Sequence, residues 1–155
     1  MSKWRHSDVG DIHPVARSTI DMDPTDFLQD SVVRISTETY AICRADRGHP
    51  TAFATVRDGT ETTVVIDETD VDSLDASDVV SGWKRLTFEV ELPFELVGFL
   101  ATVATALADA DVSVFVLSSY STDHLFVRQS DLDTAVTQLE KLGCVVDGDN
   151  LHVEG

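Results

Sequence analysis

Ser119, Asp123 and His124 supply within six positions the residue types of a hydrolytic triad. Consecutive residues on a strand point to opposite faces, however, so Asp123 and His124 are not expected to orient one another. Glu89 and Glu91 would share one strand face about 7 Å apart, a separation compatible with glycoside hydrolysis. Nothing around them marks a pocket, and an exposed alternating face is the simpler account. Asp70, Asp72 and Asp75 faintly resemble a calcium loop that lacks its essential glycine and closing glutamate, so they read as solvated surface. His6 and His13, near Asp8 and Asp11, read as solvated arm residues rather than a metal site. Cys43 and Cys144 have no CxxC spacing and no histidine partners at zinc-site spacing, which points to buried free thiols. With no P-loop, dinucleotide fingerprint or HExxH, neither a cofactor nor a metal is expected, and the chain does not read as an enzyme.

Charge narrows the partners. The 155 residues carry 28 acidic and 11 basic side chains, a net charge of −17, and Asp outnumbers Glu by 20 to 8. Only Lys3, Lys84 and Lys141 are lysines. This balance reads as halophilic: in molar salt the Debye length shrinks to about 3 Å, and a dense carboxylate surface stays soluble. Nucleic acid and anionic membranes are disfavoured, because both require cations at phosphates and no basic patch is visible. No run of about 18 apolar residues occurs, and Met1 to Gly10 is polar, so a cytoplasmic location is expected.

The elements that would position these residues follow from periodicity. Residues 1–30 read as an N-terminal arm. In a strand-rich lobe over 31–80, strands are expected at Val32–Ile35, Thr39–Cys43, Thr51–Val56 and Thr62–Ile66, with Asp58-Gly59 as a hairpin turn. The acidic stretch from Asp67 to Asp78 reads as a connector or short helix. The second domain, 81–155, opens with Leu86, Phe88, Val90 and Leu92 alternating with polar residues, a half-buried strand. Leu96, Leu100, Val103 and Leu107 then recur at helical spacing, predicting a helix over about 95–109. Val112 to Leu117, apolar on both faces, reads as a central strand, followed by a strand at Leu125–Val127. A second helix is expected with Ser130 as N-cap and Gly143 at its end, then strands at Val145–Val146 and Leu151–Val153. The order from Trp83 is βαββαβ, a ferredoxin-like α/β (α+β) fold: an antiparallel sheet with both helices on one face.

Three stretches carry a family resemblance. They are Leu96-Val97-Gly98-Phe99-Leu100 at the strand-to-helix junction, "VSVFVLSSYSTDHLFV" over 112–127, and "RDGTETTVV" over 57–65. Together they resemble the ACT domain, and in particular the amino-acid-sensing subgroup with tandem ACT lobes. The first lobe shows no long amphipathic helix, so it reads either as an abbreviated ACT lobe or as strands that extend the second.

The resemblance implies a non-catalytic regulatory domain that binds a small molecule, an amino acid in the first instance. It places the ligand at Glu95, Leu96, Val97, Gly98, Ser119, Tyr120, Thr122 and Asp123. On this reading the backbone N–H groups near Glu95 to Gly98, at the helix start, face a carboxylate. Gly98 either lets a ligand approach or only permits tight packing. Asp123 either accepts the ammonium or bonds its own turn; Tyr120 packs over the ligand or covers the turn; Ser119 and Thr122 supply hydroxyls. The resemblance also implies a homodimer formed by sheet edges, with output to an enzyme or regulator in trans. A structural dimerisation module and a small uncharacterised enzyme are the alternatives.

Overall fold

The computed structural model describes residues 22–148. The histidine–aspartate pairs of the arm and the strand expected at Leu151–Val153 lie outside them. Within this span the chain forms a short helix α1 (Pro24–Leu28), then strands β1 (Val32–Ile35), β2 (Tyr40–Ala45), β3 (Ala54–Arg57) and β4 (Thr62–Asp67). A 3-10 segment over Glu68–Ser73 leads into β5 (Ala76–Phe88). There follow α2 (Phe99–Asp109), β6 (Val114–Ser118), β7 (Asp123–Arg128), α3 (Leu132–Lys141) and β8 (Val145–Asp147). From β5 onward the order is the expected βαββαβ.

All the strands join one sheet, and its organiser is β5. The first part of β5 pairs with β2, from Ala45↔Ala76 to Tyr40↔Trp83. Its last part pairs with β1 on the same side (Ile35↔Leu86, Val33↔Phe88) and with β7 on the other (Trp83↔Arg128, Thr87↔His124). Between Tyr40↔Trp83 and Ile42↔Val80 the register slips by one residue, a bulge on β5 that contains Gly82 at φ +87°. β5 runs across the sequence boundary between residues 80 and 81.

The sheet differs from an all-antiparallel arrangement at one place. β1, from the N-terminal part of the chain, lies between β5 and β8 and pairs with β8 in parallel (Val32↔Val145, Arg34↔Asp147). A second difference concerns β6. Its residues were expected to form a central strand, but β6 pairs with β7 alone among the described residues and is only half-buried. Apolar side chains on both faces therefore mark an edge strand here.

Alternation decides which side each residue serves. Val33, Ile35, Leu86, Phe88, Leu125 and Val127 form the main core with Leu28, Phe99, Val103, Leu107, Ala135, Val136 and Leu139 from the helices. All three helices thus cover one sheet face. Tyr40, Val65 and Phe126 form a second cluster, with Phe53, Trp83, Phe115 and Leu117 packed against it. Here Phe126 meets Tyr40, Phe53 and Phe115 edge-to-face at centroid distances of 5.5, 5.7 and 6.1 Å.

Two helix starts differ from expectation. α2 begins at Phe99, not near Glu95, because Gly98 holds φ +90°, a left-handed conformation outside any right-handed helix. Glu95, Leu96 and Val97 belong to the connecting loop. α3 follows a 3-10 turn over Gln129–Asp131, so Asp131 rather than Ser130 is its N-cap, and no side chain caps it. Gly143 ends α3 at φ +99°, and the β3–β4 hairpin turns through Asp58 and Gly59 as expected.

Candidate functional site

The β6–β7 bend and the chain leaving β5 meet at one end of the sheet. A ferredoxin-like path requires this: β5 and β6 both run toward that end, so the exit of one lies beside the exit of the other. The Leu92 backbone N–H donates to the Ser121 carbonyl at 2.7 Å. The Thr122 hydroxyl donates to the Phe88 carbonyl at 2.8 Å, fastening the bend to the end of β5. Between them lies an open cleft of about 190 Å³, lined by Leu92, Pro93 and Phe94 on one side and by Ser118 to Asp123 on the other.

Of the residues expected to hold a ligand, the structure brings Ser119, Tyr120, Thr122 and Asp123 to this cleft. It does not bring Glu95, Leu96, Val97 or Gly98, because the chain passes from Phe94 through that loop to a helix starting four residues later than expected. The helix N-terminus therefore does not line the cleft, and Phe94 takes the place those residues were expected to fill. Phe94 and Tyr120 are exposed and pack edge-to-face with centroids 4.9 Å apart, forming an aromatic wall.

The polar groups of the bend have defined duties. Asp123 Oδ1 accepts from the Ser118 hydroxyl at 2.6 Å. A carboxylate offers about four acceptor positions, so most of its capacity is left for a cation. Ser119 closes the turn, its N–H and hydroxyl both donating to the Thr122 carbonyl at 2.9 and 3.1 Å. Thr122 spends its hydroxyl on Phe88, so what it offers the cleft is position rather than a free donor.

His124 belongs to the other sheet face. Its Nε2 is 3.1 Å from Ser119 Oγ and its Nδ1 is 2.9 Å from Thr87 Oγ1. Thr87 in turn accepts from Arg85 Nη1 at 3.3 Å. Thr87, not Asp123, orients the imidazole, so the three triad residue types do not assemble a triad. Burial, then the nearby Arg85 charge, hold the His124 pKa below its ordinary value, against an opposing pull from Asp123. Glu89 and Glu91 do not share a strand face, because β5 ends at Phe88; Glu89 is held by the Arg34 guanidinium, which lowers its pKa. Asp70 accepts from the Thr51 hydroxyl at 3.2 Å. Cys43 and Cys144 are buried free thiols, and burial pushes Cys144 up to about 11, where it is not nucleophilic at neutral pH.

Arg85, Thr87 and Phe94 carry no motif of their own. The available signal was the alternation along β5, which puts Arg85 and Thr87 opposite Leu86 and Phe88, beside His124 on the paired strand.

The family model described as the ACT domain matches residues 78–141, which run from within β5 to the end of α3. An Agobacterium tumefaciens protein solved by crystallography is 23% identical, covers 81% of this chain and 98% of that one, and has a TM-score of 0.67. A Vibrio cholerae protein of unknown function is 25% identical, covers 77% and 94% respectively, and has a TM-score of 0.59. The regulatory subunit of aspartate kinase from Thermus thermophilus shares the fold at 8% identity, with 74% and 98% covered and a TM-score of 0.52. A search of curated proteins gave no significant match. Among the described residues no helix is long and apolar enough to cross a membrane.

Proposed function

We propose that the chain, whose residues 78–141 match the ACT domain, is a regulatory ligand-binding module that senses an amino acid at the cleft between Leu92–Phe94 and Ser118–Asp123. One observation carries the reading: the bend and the chain leaving β5 are hydrogen-bonded together around an open space edged by a carboxylate and an aromatic pair. In this arrangement Asp123 accepts the ligand's ammonium. The Ser121 hydroxyl on the same wall is offered to its carboxylate, and Phe94 and Tyr120 cover its side chain. The openness of the cleft suits completion by a second copy, since enclosed ligand sites bury most of their ligand. A homodimer is part of the proposal, with the bound state read by an enzyme or regulator in trans.

The test is thermal stability measured against the twenty amino acids at high salt. A ligand at a hundred times its dissociation constant adds about 2.7 kcal/mol. At least one amino acid should stabilise the protein, and Asp123→Asn should remove that response while leaving the unliganded melting temperature nearly unchanged. If a folded sample responds to none, the domain is a dimerisation module and the sensor reading is wrong.

A further inference from the structure

A second and larger cavity, of about 280 Å³, lies on the helix-free face where β1, the end of β5 and β8 meet, apart from the cleft. Its rim carries both signs of charge. Arg34 holds Glu89 and Asp147, so those three largely satisfy one another. Arg85, which also lines the cavity, is placed differently. Its guanidinium carbon lies 4.5 Å from the centroid of the Phe53 ring and 5.6 Å from that of Tyr40, which fixes its orientation by cation–π contact. Nη1 donates to Thr87, no carboxylate among the described residues pairs with it, and Nε is buried without a partner.

An oriented guanidinium whose charge meets no carboxylate is a preorganised receptor for one, which it can engage from the cavity through two parallel hydrogen bonds. A net charge of −17 disfavours polyanions. Glu38, on the same rim, supplies an acceptor for a positive group. We propose that this cavity is a second binding site, for a small zwitterion whose carboxylate binds Arg85 and whose ammonium faces Glu38. The hydrogen-bonded row from Arg85 through Thr87 and His124 ends at Ser119, so the two sites touch the same side-chain chain from opposite ends.

The full chain, labelled with 15N, tests this through the Arg85 Nε–H resonance during titration with each of the twenty amino acids, with acetate and methylammonium as single-charge controls. At least one amino acid should move that resonance saturably and more tightly than either control. Asp123→Asn should leave the movement intact, which separates this site from the cleft even if the cleft binds nothing. Arg85→Lys, which keeps the charge but lacks the Nε–H, is followed through the backbone amide resonances of Ser36 and Thr87 in the cavity wall, and it should weaken binding about tenfold or more because an ammonium cannot make the bidentate contact. A resonance that no amino acid moves in the wild-type protein overturns the proposal. So does a response that disappears in Asp123→Asn, since it then originates in the cleft, and so does an affinity, read at the Ser36 and Thr87 amides, that Arg85→Lys leaves unaltered.

Discussion

The hydroxyl of Thr87 gives the Arg85–Ser119 row a direction. It accepts from Arg85 Nη1, so its own proton is free to go to His124 Nδ1; the neutral imidazole then carries its hydrogen on Nε2 and donates to Ser119, whose proton goes to the Thr122 carbonyl. Each group is a donor to the next. Protonating His124 puts a second cation beside Arg85 and turns Nδ1 into a donor facing a hydroxyl that already accepts. This agrees with the lowered pKa, whose first cause is burial and whose second is Arg85. The sign of the stability effect follows. Unfolded histidine binds its proton near pH 6.5 and folded His124 does so lower, so between the two the unfolded chain holds more protons and stability rises with pH. His124 thus contributes stability above about pH 6.5 that is lost as pH falls through its folded pKa. Urea midpoints at pH 7.5 and 5.5 should fall on acidification in the wild-type protein and fall less in His124→Asn. An equal drop in both would show that His124 does not sense the change.

At the scale of elements, Gly98 has a conformational reason beyond the two expected of it. A Cβ built there would meet only Pro24 Cγ at 3.6 Å, an ordinary contact, so close packing does not demand glycine. The demand comes from φ +90°, which lets the loop turn into α2. Gly98→Ala should therefore cost about 1–2 kcal/mol through backbone strain alone. Gly143→Ala should cost more, because its Cβ would also stand 2.5 Å from Gln29 Oε1 and 3.3 Å from Gln29 Cα. Urea denaturation of the two variants checks the order, and equal losses would contradict it. The same residue shows what could be read in the sequence. The stripe of Leu100, Val103 and Leu107 located the helix, although its buried face runs through Phe99, Val103 and Leu107; its first residue was hidden, since Leu96 continued the stripe while belonging to the loop. The "SSYSTD" bend was legible because small and polar residues interrupt two apolar runs. Its partner across the cleft was not, because Phe94 reaches it through tertiary packing that no local spacing records. β6 misled for a related reason: periodicity reports apolar faces, whereas edge position depends on which strand lies alongside.

At the scale of the molecule, the division at residue 80 expected from the strand and helix periodicities meets a chain that shares strands across it. Read alone, residues 81–155 contain every element of a βαββαβ domain. In the structure they lack two things they use. β8 pairs only with β1 among the described residues, and β1 also fills one side of the end of β5. Val33 and Ile35 of β1 and Leu28 of α1 are buried in the same core as α2 and α3. Removing residues 1–80 would leave β8 without its ladder and expose one edge of β5. It would also open space under the helices where three large side chains had packed, and each such deletion typically costs 2–5 kcal/mol. Because a domain has only about 5–15 kcal/mol in total, that loss is comparable to the whole stability. A fragment of residues 81–155 should therefore show no cooperative thermal transition by circular dichroism and poor amide dispersion by NMR, while adding a peptide of residues 22–80 should restore both. Cooperative melting of the isolated fragment would mean that β1 is an accessory strand and that the C-terminal part closes its sheet without it. In that case β8 would have to pair directly with β5, the arrangement that the inserted β1 prevents here.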